Sequence, residues 1–402
     1  MFREIDGVRV WGEPQEGAVQ QAVQCSWVGD VAAVALMADH HLGYSQPIGG
    51  VVAYRGFISP SGVGYDIGCG NKAVRTNLSA ADIRKDLPRL MDEIYRQVSF
   101  GLGRKQQHPV DHELFDDPTW ADIKQVGALK DLAQSQLGTV GSGNHFVDLF
   151  EEPATGAVWV GVHFGSRGFG HKTASGFLNL AEGRPFGAGI PRGEMNTPPT
   201  VLKLSTDLGQ AYLAAMRLAG RYAYAGRDYV VSQVLKILHA KATFEVHNHH
   251  NFAWVEEHGG EELVVVRKGA TPLMPGQLGF IGGSMADIAV IVQGRDSEEA
   301  RAAFHSACHG AGRVMSRMAA LGRRNPETGQ REGGRVTPEA MQEAIRTYGV
   351  ELRGAGVDES PFVYRKLQDV LDAHAETLDV LHVLRPIGVA MAGGDVRDPY
   401  KD

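Results

Sequence analysis

Cysteine is scarce. Cys25, Cys69 and Cys308 are the only three in 402 residues, too few and too scattered for a disulfide framework, so a reducing compartment is expected. No stretch reaches the roughly 18 apolar residues of a membrane span. The opening MFREIDGVRVWGEP carries acids and no apolar run, so neither a secretory signal nor a transit peptide is expected, and the protein should be cytoplasmic with no membrane partner. A basic excess is also missing: 40 Lys and Arg stand against 47 Asp and Glu, a net charge of -7. That argues against a non-specific nucleic-acid coat protein. Proline is sparse at 18 residues, whereas glycine reaches 51 of 402, well above the usual share of roughly 7%. Such an excess calls for tight turns and close approach of backbone to ligand, a profile suited to phosphate chemistry. With 43% hydrophobic and 22% charged residues, the chain is neither disordered nor a rod.

Strand-like runs bounded by Gly or Pro start at Val31 (VAAVALMAD), Ile48 (IGGVVAY) and Asn71 (NKAVRTNL). Ser79 caps a helical pattern interrupted at Pro88, and a second helical block lies between Trp120 and Gln136. AVWVGVHF (157–164) reads as a strand and 174–181 as a helix, while EGRPFGAGIPRGEMNTPP reads as a loop. The longest helical signal runs from about Lys203 to Ala242. FEVHNHHNFAWVEE and EELVVVRKG are strands, an apolar element follows at 285–292, and RRNPETGQREGGR is a second loop before C-terminal helices. No repeat and no steady βαβ alternation is present, so an α+β architecture is expected.

Four segments, three of them rich in glycine, carry metal-binding residue types: Asp66 and Cys69 in GYDIGCG, Asn144 and His145 in GSGNHF, His163 in HFGSRG, and His247, His249 and His250 in HNHHN. Asp, Cys and His suit first-row transition metals. One buried His is more often a core residue than a ligand, and Cys69 alone reads equally well as a small buried hydrophobe. Four such segments together argue for a site. Strand periodicity puts Glu245, His247 and His249 on one face and His250 on the other. In SACHGAGRVMSR, His309 sits beside glycines, with Arg313 and Arg317 spaced to share a helix face. Two guanidiniums could clamp a triphosphate while the imidazole attacks phosphorus; a glycine-cornered helix with solvated arginines is the plainer reading. Between Arg301 and Arg335 seven Arg face only Glu327 and Glu332. GSRGFGHKT misses the phosphate-loop spacing by one residue, because His171 displaces Lys172.

GVGYDIGCG, GSGNHF, VHFGSRG, HHNFAW, RKGAT, GGSM and CHGAGRVMSR, in this order from about Asp39 onward, resemble the RtcB family of RNA-splicing ligases. The resemblance implies one catalytic domain over 1–402, with central sheets in a sandwich flanked by helices. It implies an enzyme dependent on GTP and two Mn2+ ions that joins an RNA 3'-phosphate or 2',3'-cyclic phosphate to a 5'-hydroxyl, in tRNA splicing or RNA repair. Cys69, His145 and His163 would hold metal, Asp66 and His250 would complete the two-ion site, and His309 would become guanylylated. Guanylate contacts would fall on Asn144, Asn251, Ser284 and Arg313, with Tyr364 stacked on guanine. An archease-like activator is an expected partner.

The sequence departs from the family pattern at Asp148 (usually Glu, counted here with the nucleotide contacts), Phe164 (Ser), Ala286 (Gly) and Gly282 (Pro). A terminal Lys-Gly is replaced by AMAGGDVRDPYKD, in which Lys401 is the cation left to meet guanine. Two other classes fit the same residues: a metal-dependent RNA-end capping or phosphoesterase enzyme that does not seal, and a catalytically silent nucleic-acid-binding homologue.

Overall fold

The computed structural model describes residues 1–189, 195–328 and 331–394. Helices and strands are mixed, as expected, and most strands fall in two sheets. In the first, Arg3–Ile5, Val8–Val10, Val31–His41, Ile48–Tyr54, Glu261–Lys268 and Asn251–His258 lie side by side in that order. The second runs Ala242–His249, Gly70–Ser79, Ala157–Phe164, Phe146–Glu151, Leu378–Gly393, Ala289–Gly294 and Leu278–Ile281, with Glu351–Ala355 added parallel to Leu378–Gly393.

In place of a plain two-sheet sandwich, the second sheet curls until its end strands nearly meet. Phe280 N donates to Asn248 Oδ1 at 3.1 Å, and Asn71 Nδ2 donates to Phe280 O at 2.9 Å. Inside the curl lie Phe150, Trp159, Val246, Phe280, Ile291 and Leu384. Alternation then sends Val290 and Val292 outward, onto Ala35, Met37, Val51 and Val265 of the first sheet. Each large apolar side chain so buried contributes about 1.5–3 kcal/mol.

Local signals set most helix ends. Ser79 and Asp82 form a capping box, and Pro88 sits in the first turn of the next helix, Leu87–Gln97. The long helix is Asp207–Ile237, shorter at both ends than its pattern, because Thr206 caps Gly209 N and so fixes the start. The near-miss phosphate loop is the first part of a helix, Arg167–Ala181, which begins earlier than its apolar residues suggest. The block 120–136 breaks into Thr119–Asp122, Lys124–Gly127 and Lys130–Gln136.

Three expectations are corrected. Arg313 and Arg317 do not share a helix: after the strand Ser306–Cys308 the chain runs through a glycine-cornered loop, and only at Arg317 does a short helix start, capped by Ser316. The C-terminal region is not only helical, since Leu378–Gly393 is a 16-residue strand that pairs with Phe146–Glu151, Ala289–Gly294 and Glu351–Ala355. The apolar run at 285–292 becomes strand only from Ala289. Part of each expected loop lies outside the described residues; Arg323–Arg324 and Arg331–Glu332 pair as a short ladder.

Candidate active site

Several strand ends and glycine turns converge on one cavity of about 610 Å³. Its wall includes Asp66, Cys69, Asn144, His145, Asp148, His163, His250, Asn251, Ser284, His309, Arg313 and Tyr364. Every site residue expected from the sequence is thus brought together except Lys401, which lies outside the described residues.

Cys69 stands at the centre. Its Sγ lies 3.2 Å from His163 Nε2 and 3.7 Å from His145 Nε2. His163 Nε2 is 3.3 Å from His250 Nε2, and His145 Nε2 is 3.0 Å from Asp66 Oδ2. The donors therefore form two trios that share one sulfur: Cys69, His163 and His250, and Asp66, Cys69 and His145. The far nitrogens fix the imidazoles. His163 Nδ1 lies 3.1 Å from Asn144 O, so it donates there and turns its Nε2 lone pair to the cluster, while His145 is held between Val140 O, 2.9 Å from its Nδ1, and the Asp66 carboxylate.

Burial pushes the Cys69 thiol well up and, with the neighbouring imidazoles, holds His163 and His250 well below the ordinary histidine range. Neutral imidazoles are the ligand form. Burial would raise the Asp66 carboxyl, but the hydrogen bond and charge of His145, with Arg167, outweigh it and hold the group below the usual carboxylate range. The Cys, His and carboxylate donor set, with its ligating atoms within 4.8 Å of one another in each trio, fits first-row divalent cations.

The strand periodicity at 245–250 is realised at a corner. Ala242–His249 belongs to the second sheet and Asn251–His258 to the first, and His250 is the hinge between them. His250 turns to Cys69 and His163, whereas His247 and His249 turn to Arg227.

His309 faces the cluster from the opposite wall, 4.8 Å from His250 between ring centroids. Its Nδ1 lies 2.6 Å from Asp39 Oδ2, the same oxygen that accepts from His309 N at 2.9 Å and Gly310 N at 3.1 Å. Burial would raise the Asp39 carboxyl, yet the charge and hydrogen bonds of His309 hold it below its ordinary value. A carboxylate can only accept, so the proton sits on Nδ1 and the Nε2 lone pair is left for chemistry. Gly269 makes room: at φ +61° a Cβ there would lie 2.4 Å from Ile48 and 3.1 Å from His309. Asp39 was not among the expected site residues. A charged residue ending the apolar run VAAVALMAD was the available signal.

The two arginines do not form a free clamp. Arg317 is paired with Asp358 at 2.8 Å and with Glu359. Arg313 donates to the Tyr364 hydroxyl at 3.1 Å and to Asp358 O at 2.9 Å, and lies over the Tyr364 ring at 5.1 Å. Tyr364 in turn donates to Glu359. Asp358 and Glu359 were invisible in the sequence because two acids in a short turn look solvated. Asp148 is buried in its strand, its Oδ1 has no partner, and burial pushes its carboxyl well above the usual range. Asn251 Oδ1 accepts from Gly269 N at 2.7 Å.

The sequence model of the family described as tRNA-splicing ligase RtcB matches residues 20–132 and 117–392. The tRNA-splicing ligase RtcB of Thermococcus kodakarensis is 32% identical over 454 residues, covering 94% of this chain and 91% of that protein. The RNA-splicing ligase RtcB of Escherichia coli K12 is 32% identical over 88% of each chain, and the tRNA-splicing ligase RtcB of Pyrobaculum aerophilum 31% identical over 88% of this chain and 86% of its own. The chain belongs to the RtcB family.

Proposed function

We propose that this chain is an RNA ligase, acting as one catalytic domain in the cytoplasm, that seals a 3'-phosphate end to a 5'-hydroxyl end with GTP through a His309–GMP intermediate. The observation that carries this reading is the imidazole oriented by Asp39 opposite two donor trios that share Cys69. The relatives' names as RNA- and tRNA-splicing ligases support it. Among the described residues no helix is long and apolar enough to cross a membrane.

In the first step the His309 Nε2 lone pair attacks the α-phosphorus of GTP, a P–N bond forms and pyrophosphate leaves. Asp39 keeps the Nδ1 proton and stabilises the charge that develops on the ring. An oxygen of the RNA 3'-phosphate then attacks the same phosphorus, the P–N bond breaks and His309 regains its lone pair. Finally the 5'-hydroxyl attacks the activated 3'-phosphate, loses its proton and expels GMP. A 2',3'-cyclic end must first be opened by water. The two trios would hold two Mn2+ ions, which when bound supply Lewis-acid stabilisation of phosphate charge. Manganese rests on the family resemblance, since Cys and His donors alone would favour zinc or cobalt. Asn144, Asp148, Asn251, Ser284, Arg313 and Tyr364 are the proposed guanylate contacts, with Lys401 as the cation for guanine, and an archease-like protein is the proposed activator.

Labelled GTP and Mn2+ followed by intact-protein mass measurement tests the first step, and an RNA pair with 3'-phosphate and 5'-hydroxyl ends tests the rest. The expected result is a GMP adduct that disappears as joined RNA forms. An adduct that caps the 3'-end without joining would make the chain a capping enzyme, and no adduct at all would overturn the reading. Ending the chain after Gly393 should lower the preference for GTP over ATP; an unchanged preference would remove Lys401 from the site.

A further inference from the structure

Behind the two trios, on the side away from the cavity, lies a guanidinium that the mechanism above does not use. Arg227 is on the long helix Asp207–Ile237 and is 0% exposed. Among the described residues no carboxylate pairs with it. Instead it donates to Phe164 O at 2.6 Å, to Gly68 O at 2.9 Å and to His247 Nε2 at 2.8 Å, and it lies 3.0 Å from His249 Nδ1.

The two carbonyls are informative. Gly68 directly precedes Cys69, and Phe164 directly follows His163. One nitrogen, Arg227 Nη1, donates to both carbonyls and so ties the backbone beside the shared sulfur to the backbone beside a ligand of the other strand, while Nε and Nη2 of the same planar group face His247 and His249. The third neighbour is tied in separately, because His250 N donates to Cys69 O at 2.8 Å. The helix reaches this turn through small residues: a Cβ on Gly68 would meet Ala223 at 3.1 Å and Gly220 at 3.2 Å. Arg227 is itself held from outside. His247 accepts from Arg227 at Nε2, so its proton lies on Nδ1, 3.5 Å from Asp228 Oδ1, and Asp228 is paired with Lys72 at 2.6 Å.

Burying a guanidinium without an acid is costly. A purely apolar core would not need it, and a helix packed through Gly220 and Ala223 would be satisfied by Leu or Met at this position. The cost is offset where the group fixes something that would otherwise drift, here the relative position of Cys69 and His163, and its charge faces the only thiol and carboxylate of the trios.

We propose that Arg227 is a positioning residue for the metal centre, setting the distance between Cys69 and His163 through the Gly68 and Phe164 carbonyls, with His247 and Asp228 holding it in place. The inference rests on the reading of the two trios as a metal centre. Loss of an outer partner of this kind typically costs 10–100-fold in metal affinity.

The test measures Mn2+ binding by calorimetry and the cysteine-to-metal charge-transfer absorption of the Co2+-loaded protein, for wild type, Arg227→Lys, His247→Leu and His247→Gln, with thermal unfolding as the check on folding. Arg227→Lys keeps a charge, but its nitrogen sits one bond short of the Nη1 position that meets both carbonyls and it has no second nitrogen for His247, so it is expected to bind at least about tenfold more weakly with an altered charge-transfer band. His247→Leu should move both readouts in the same direction, and His247→Gln, which retains an acceptor, should restore them. A folded Arg227→Lys protein with wild-type affinity and spectrum overturns the proposal. Should Arg227→Lys not fold, a wild-type result for His247→Leu overturns it equally. Wild-type protein that binds neither ion with a thiolate band would instead overturn the metal centre itself.

Discussion

A single oxygen, Asp39 Oδ2, accepts from the ring and the backbone of His309 and from the backbone of Gly310. Asp39→Asn would present an amide that can turn either its oxygen or its NH2 to Nδ1, so the productive tautomer is no longer enforced. General acid–base and orienting groups of this kind contribute about 10²–10⁴-fold, and the single-turnover rate of GMP transfer to the enzyme should fall by that order while metal content is kept. His309→Ala should take up no GMP and still bind metal, read by intact mass and metal analysis; adduct formation in that variant would move the nucleophile elsewhere. Cys69→Ala should weaken both trios together, whereas Asp66→Ala should spare the Cys69, His163 and His250 group; metal stoichiometry separates the two cases. At this scale the candidate ligands were legible because Asp66, Cys69, His145 and His163 stand in glycine-rich polar motifs and His250 in a run of histidines. Asp39 and Arg227 were not, since an acid at a strand end and an arginine in a helix are ordinary surface features until distant backbone is placed against them.

Elements decide where these groups point. The corner at His250 sends three histidines of one run to two different partners, and only the pairing of each half with its own sheet shows why. Helix caps and proline breaks were readable, because a helix end is fixed by residues within about one turn of it. The strand Leu378–Gly393 and the curl of its sheet were not, since their hydrogen-bond partners come from sequence that no local window contains. The strand Glu261–Lys268 carries another buried pair, in which Arg267 grips Glu256 through two bonds of 2.7 and 2.9 Å. Burial would raise the Glu256 carboxyl, but Arg267 and His258 bring it down to about 2. A depressed carboxylate stabilises the fold fully above its unfolded value of about 4.3, and that contribution, on the order of 3 kcal/mol, is lost as pH falls toward 2. Urea unfolding should therefore show Glu256→Gln well below wild type at pH 6, with the gap about halved near pH 3 and closing only as pH falls toward 2. Gly269→Ala should slow GMP uptake without removing metal, because the added methyl presses on Ile48 and on the His309 ring; an unaltered rate would mean the loop yields freely.

Over the whole molecule, a ligand that binds only the folded chain stabilises it by mass action, about 2.7 kcal/mol at a hundredfold excess over Kd. Adding Mn2+ should raise the midpoint of thermal unfolding in wild type and not in Cys69→Ala. The residues that would bind the ion lie at 66, 69, 145, 163 and 250 along the chain, and the strand that carries Cys308 and leads to His309 follows later still. The sheet that holds Phe146–Glu151 is completed only by Leu378–Gly393. On a ribosome, a growing polypeptide that has released its first three hundred residues already contains every proposed metal donor, but it lacks both His309 and the strand that completes the sheet beside them. No GMP adduct on the proposed nucleophile could therefore form until more than three quarters of these residues have been made, and the sheet beside the proposed donors is completed only after that.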